Sequence, residues 1–99
     1  MSAKLSEPVV LAQPITRDGA DPIATVSVRK PDVGALRGLK LFDVLQMDVN
    51  AMARLLPRIT SPALLPDDVE TLDPQDLMAL SAAVVGFFAP DGADQATRP

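Results

Sequence analysis

Along this chain the spacing of apolar side chains changes once, from a period of two to a period near three and a half. Val9 to Thr16 and Ile23 to Lys30 are rich in β-branched residues, and Ala24-Thr25-Val26-Ser27-Val28-Arg29 alternates small or apolar with polar side chains. That alternation is the mark of a strand with one face turned inward. Between the two runs lies Arg17-Asp18-Gly19-Ala20-Asp21-Pro22, where Asp-Gly supplies a positive φ at low cost and Pro22 marks the far edge of the loop. The pattern predicts a β-hairpin over residues 9–30, with an unpaired strand edge open to a partner strand or a second copy.

Pro31 has no N–H to donate and ends the second strand, and Asp32 then offers a carboxylate to the free amides of a helix. Val33, Leu36, Leu39, Phe42 and Leu45 recur at spacing three, flanked by Leu41 and Val44 and weakened by Gly34 and Gly38, which predicts one interrupted helix or two short ones. Asp48 is the expected N-cap of a firmer helix with Val49, Met52, Leu55, Leu56 and Ile59 on one face, Arg54 and Arg58 toward its C-terminal end, and a last turn disturbed by Pro57. Ser61-Pro62 and Pro66-Asp67 read as two further cap-like starts, and Asp67 with Glu70 has capping-box spacing over one helical turn. Asp73-Pro74 opens a last helix with Asp76 in its positive first turn and Leu77, Leu80, Val84, Phe87 and Phe88 along its apolar face. The expected fold class is therefore α+β: a hairpin followed by three or four short helices over 32–89, in one domain. Residues 1–8 and 90–99 lack periodicity and are expected to be disordered.

Composition narrows what such a domain does. With 99 residues, 47% hydrophobic but 3% aromatic, the core must be built from Leu, Val, Ala, Met and Ile, and a domain this small leaves a large share of its apolar surface for a partner or for self-association. The sequence holds neither Cys nor His, which removes thiolate metal sites, cysteine nucleophiles and the side chain most used as a base near neutral pH. Net charge is −4, and residues 60–99 carry −6 of it, with Asp67, Asp68, Glu70, Asp73, Asp76, Asp91 and Asp94 against Arg98. An acidic, aromatic-poor chain without a basic stripe is a poor nucleic-acid binder. The run Val9-Val10-Leu11-Ala12, bracketed by Pro8 and Pro14, is shorter than the ~7–15 residues of a signal-peptide core. Leu77 to Ala89 spans 13 residues, short of the ~20 that cross a bilayer. A cytoplasmic protein with no membrane association is expected.

Candidate chemistry is sparse. The carboxylates Asp67, Asp68, Glu70, Asp73 and Asp76 lack the glycine and alternation of a calcium loop and read as helix caps and a solvated face. Ser6, Ser27, Ser61 and Ser81 could be activated only by Lys4, Lys30 or Lys40, and no elbow or phosphate-loop pattern surrounds them. No catalytic, cofactor-binding or metal-binding residue is predicted. Phe87 and Phe88, adjacent on a helix, point about 100° apart, so one is expected in the core and the other half-exposed, with both completing the helical core favoured over one anchoring a partner. Arg29 and Lys30 read as a solvated strand end able to meet an acidic partner.

Taken in order, Pro14-Ile15, the Asp18-Gly19 turn, Val26-Ser27-Val28-Arg29-Lys30-Pro31, Leu36-Arg37-Gly38, Leu55-Leu56 and Asp76-Leu77 leading to Phe87-Phe88 form a line-up that resembles the small tail assembly chaperones of Mu-like and P2-like contractile-tailed bacteriophages. The likeness covers roughly residues 11–89, and it lies in the order and spacing of these elements. It implies a non-enzymatic assembly factor, without cofactor, that binds the tape-measure protein in the host cytoplasm before the tail tube forms around it. Tail tube protein and a second copy of the chain are the further partners it suggests. It also implies that an extended form, made by frameshifting, could attach at Pro90 to Pro99. The residues expected to meet a partner are Arg29, Lys30, Val49, Met52, Leu56, Leu77, Leu80, Val84, Phe87 and Phe88. A structural tail or baseplate component kept in the virion, and a small bacterial adaptor or antitoxin, are the competing expectations.

Overall fold

The computed structural model describes residues 5, 6, 8–17 and 19–88. Asp18 and the 90–99 tail, on which two of the expectations above fall, lie outside the described residues. Among the described residues the order is β1 (Val9–Ile15), β2 (Ile23–Val28), α1 (Val33–Leu36), α2 (Leu41–Leu45), α3 (Val49–Ile59), β3 (Thr60–Ser61), α4 (Pro66–Glu70) and α5 (Pro74–Gly86). The α+β class holds, with five short helices rather than three or four and with a third strand.

The expected hairpin is present: β1 and β2 pair antiparallel with Val9 opposite Val26 and Val10 opposite Thr25. Alternation on β2 buries Val26 and Val28 and exposes Thr25 between them and the strand's start, where Ala24 is exposed as well. Gly19 takes φ 72° in the loop, a backbone geometry glycine adopts without a Cβ clash. β2 is the central strand, because Ser27 and Val28 pair with Ser61 and Thr60 of β3. The edge expected to stand open is thus partly filled, and Ser61-Pro62 sits at a strand end where no helix begins. Leu5 bridges to Arg29, and the Ser6 amide donates to the Val28 carbonyl at 2.7 Å, so these two residues extend the strand pairing into the stretch expected to fray.

Partway along β1 the register with β2 shifts between Val10 and Ile15. This irregularity leaves the amides of Ala12 and Gln13 pointing at a carboxylate. Asp76, in the first turn of α5, accepts from Ala12 N at 2.6 Å and from Gln13 N at 3.0 Å, and it is 2% exposed. Expected on a solvated face, Asp76 is instead a buried clamp between the first strand and the last helix. Its two oxygens satisfy two amides that the bulge frees.

The helical half follows its caps. Asp32 accepts from Ala35 N at 2.8 Å, Asp48 from Ala51 N at 2.9 Å and Asp73 from Gln75 N at 2.8 Å, the last with Pro74 at the first helical position. Each satisfies one of the orphan donors at a helix start. α4 departs from expectation: it starts at Pro66, and Asp68 rather than Asp67 reaches back, accepting from Leu65 N at 2.8 Å.

The predicted stripe Val33, Leu36, Leu39, Phe42, Leu45 does not form one face. α1 stops at Leu36 and Gly38 turns the chain at φ 84° before α2 begins at Leu41, so the helical phase resets. Ala35 and Val44 point inward, Leu36 and Leu39 are half-buried, and Val33, Leu41, Phe42 and Leu45 are exposed. α3 keeps its face: Ala51, Met52, Leu55, Leu56 and Ile59 are buried. Its C-terminal Arg58 does not serve its own helix end but donates to Ala35 O at 2.6 Å and Arg37 O at 3.0 Å, tying off α1. Thr60 Oγ1 donates to Leu56 O and accepts from Leu64 N, leading the chain out of α3 past Pro57. α5 packs on β1 and β2, while α3 packs on α1, α2 and α4. Leu80 and Val84 join the α3 residues and the inward strand residues in one core.

Arg17, just past β1, donates to Asp68 through Nε at 3.2 Å and Nη2 at 2.5 Å, and through Nη2 to Ala63 O. The Arg17 hydrogen bonds hold the Asp68 carboxyl below its ordinary value of 3.8; burial opposes them, and the Leu65 amide and the Arg17 charge add to the lowering. A carboxyl depressed on folding contributes stability that is complete above its unfolded pKa and vanishes as pH falls through the lower folded one. The stability gap between the wild-type and Arg17→Met chains is therefore expected to be constant near neutral pH and to narrow as pH drops below 3.8, leaving the part owed to the Ala63 carbonyl. Urea titrations at a series of acid pH values check this.

Candidate functional site

The surface available to a partner is set by the apolar side chains that the core leaves outside. On α1 and α2 these are Val33, Leu41, Phe42 and Leu45, Phe42 being 68% exposed. Val33, Leu36, Leu39 and Leu41 line a shallow groove enclosing about 280 Å³. A second groove, of about 350 Å³, runs between the α2–α3 turn and the N-terminal half of α5, lined by Gln46, Met47, Val49, Pro74, Leu77, Met78 and Ser81. Val49 and Met78 are each 62% exposed there.

Local sequence explains the second groove. α2 ends with Met47 N donating to Val44 O and Asp48 N to Asp43 O, the paired bonds of a Schellman close. Met47 occupies its left-handed position at φ 59°, and Asp48 at once caps α3. The two helices therefore meet at a tight corner where Met47, half-buried against the core, lines the groove together with Leu77 and Met78 of α5. On α5, Met78 lies out of phase with Leu80 and Val84, so the residues that fill the core cannot bury it.

The residues predicted to meet a partner fall into four groups. Met52, Leu56, Leu80 and Val84 are 0% exposed and belong to the core, so in this conformation they present no surface. Val49 and Leu77 line the second groove. Phe87 and Phe88 are both half-buried against the core, not one inside and one outside: α5 ends at Gly86 with Phe87 as its C-cap, and the 100° argument loses its hold where the helix stops. Lys30 is exposed, while Arg29 is half-buried and donates to Arg58 O at 3.0 Å, with Asp32 3.9 Å away. Arg29 is thus part of the junction between β2 and the end of α3, and less of a solvated end than the sequence suggests.

Met47 and Met78 were missed because neither fits a core stripe. The signal for Met78 was that misfit, a large apolar residue on the polar side of its helix, whereas Met47, half-buried against the core, sits at a turn that no periodicity reaches. Among the described residues no group of three or more His, Cys, Asp or Glu side chains is placed to hold a metal ion, and no helix is long and apolar enough to cross a membrane.

A small α+β domain that leaves helical apolar side chains outside its core suits a protein that works by contact. Residues 8–89 match the model of the family described as phage tail assembly chaperone proteins, E, or 41 or 14, and the chain belongs to that family. It is 40% identical over 83 residues to Tail assembly protein E of Escherichia phage P2, a match covering 84% of this chain and 90% of that protein. It is also 40% identical over 80 residues to Tail assembly protein E' of the same phage, covering 81% of this chain but only 56% of the relative. No solved structure matches.

Proposed function

We propose that the chain is a non-catalytic tail assembly chaperone that binds the tape-measure protein in the host cytoplasm during tail morphogenesis and leaves before the tail is complete. The observation that carries this reading is the set of exposed apolar side chains, Val33, Leu41, Phe42, Leu45, Val49 and Met78, on helices whose inward faces pack into the core. A long helical client exposes apolar stripes until its tube closes round it, and shallow grooves on a small acidic domain can cover such stripes while keeping the pair soluble. Family membership supports an assembly role, and the P2 relatives carry that role in their names. Several weak grooves would act together when several copies line one client.

Coexpression with the tape-measure gene of the same phage or prophage tests this. The client is expected to be insoluble alone and to copurify with this chain when both are made. A client that stays insoluble beside folded chain removes the reading. Detection of this chain in purified virions by mass spectrometry would replace it with that of a retained tail component.

A further inference from the structure

We infer that the groove beside Arg37 is a contact for a second copy of this chain, whose α4 enters it by Leu65, Asp67 and Glu70. The inference stands on the charges and apolar side chains of the chain itself and does not depend on the chaperone reading. Val33, Leu36, Leu39 and Leu41 line the groove with Gly38 and Arg37, and Val33 is 80% and Leu41 53% exposed. Residues 33–41 include Arg37 and Lys40 and no Asp or Glu. Arg58 adds a third cation at the end of α1, because its guanidinium is fixed on the Ala35 and Arg37 carbonyls, which position the charge without neutralising it. The carboxylates of the same region are Asp32, which accepts from Ala35 N and lies 3.9 Å from Arg29, and Asp43 and Asp48, which line the adjoining pocket with Lys40 and Arg54. Asp48 caps α3. Among the described residues Arg37, Lys40 and Arg58 form no ion pair.

The other half of the chain carries the complement. Residues 60–88 hold Asp67, Asp68, Glu70, Asp73 and Asp76 and no Lys or Arg. Asp68 is engaged by Arg17 and the Leu65 amide, Asp73 caps α5, and Asp76 is held on β1. Asp67 and Glu70 remain. Three residues apart on α4, they share its outward face, while Asp68 and Val69 turn inward. Leu65, the residue before α4, is 56% exposed. Neither Asp67 nor Glu70 forms an ion pair among the described residues. An apolar side chain followed by two outward carboxylates thus matches an apolar groove edged by cations. A symmetric pairing of groove with groove would instead set Arg37 and Lys40 of both copies face to face. Groove against α4 is a heterologous contact, so each copy added leaves one groove and one α4 open for the next. A contact made by so short a helix buries little area and holds weakly. The groove between the α2–α3 turn and α5 shares no lining residue with it.

The test follows the full chain by sedimentation velocity over a range of protein concentrations, with backbone amide NMR to place the contact. Average mass is expected to climb with concentration at low salt and to fall back as salt is added. Amide signals of residues 33–41 and 65–70 are expected to move together as it climbs. Two double variants separate the halves of the contact: Arg37→Glu with Lys40→Glu, and Asp67→Lys with Glu70→Lys. All four side chains are exposed, so each variant is expected to melt close to the parent while staying monomeric. Mixed in equal amounts, the two variants are expected to associate again, since each keeps the surface that the other has reversed. Leu65→Ser retains the backbone amide that Asp68 holds and is expected to weaken association about tenfold, a reading independent of charge. A wild-type chain that stays monomeric throughout overturns the proposal. So does an Asp67→Lys, Glu70→Lys chain that associates like the parent, a mixture that fails to associate, or shifts confined to β1 or α5. A chain that associates in this way yet leaves the tape-measure protein insoluble loses its proposed client and keeps this contact; a monomeric chain that holds the client in solution does the reverse.

Discussion

Replacing Asp76 with alanine is expected to lower the unfolding free energy by about 3 kcal/mol, because two part-buried backbone amides lose their shared acceptor at once. The donors are Ala12 N and Gln13 N, at 2.6 and 3.0 Å, and with Asp76 only 2% exposed water cannot readily take its place. Asp76→Asn is expected to recover little of this, since its NH₂ group would face one of the two donors. Equilibrium urea unfolding measures both, as a lower midpoint with an unchanged slope. A surface carboxylate doing no more than favouring a helix dipole would change stability by less than about 1 kcal/mol, so a loss that small would mean that the clamp does not form.

Leu56→Ala is the second large effect, expected at about 3 kcal/mol, within the usual range for truncating a buried leucine. Leu56 is 0% exposed on the inward face of α3. What separates core from interface is the pairing of two readouts. For Leu56→Ala, client recovery is expected to fall only in step with the folded fraction. For Met78→Lys the fold should hold and client recovery drop. Thermal melts alongside pull-downs of the tape-measure protein decide between them. A Leu56→Ala chain that stays fully folded and fails to hold its client would move this residue to the binding surface.

The parts of the fold that could be read in advance are those whose causes are local. Asp32, Asp48 and Asp73 cap helices within three residues of themselves, and β2 shows its inward face in its own alternation. β3 could not be read, since Thr60–Ser61 is too short to have a period and exists only because β2 offers it an edge. The α1–α2 stripe failed for a related reason: spacing of three is meaningful only within a continuous helix, and Gly38 interrupts this one. Asp76 was placed in the first turn of α5, but its partners lie 64 and 63 residues earlier and are available only because β1 bulges.

Two of the seven residues that line the second groove were among those expected to meet a partner. Val49 and Leu77 stood among the expected partner residues and do line a groove. Met52, Leu56, Leu80 and Val84, chosen on the same periodicity, are core, because a periodic apolar stripe looks the same in sequence whether a neighbouring helix or a foreign one covers it. The groove itself depends on the Schellman corner at Met47 and on the crossing of α5 beside it, neither of which one segment of sequence encodes.

The clamp between β1 and α5 also sets the order in which the chain can finish folding as it is made. The strand that leaves the ribosome early carries two amides whose acceptor is synthesised 64 residues later in one case and 63 in the other. Until α5 emerges, the bulged strand has water in place of Asp76 and only part of its core, and such long-range closure is slow to form. The nascent hairpin therefore waits on the last helix, and the domain closes as a unit late in its own translation. The fold is therefore complete only when nearly all of the length matched to the family, residues 8–89, has been made.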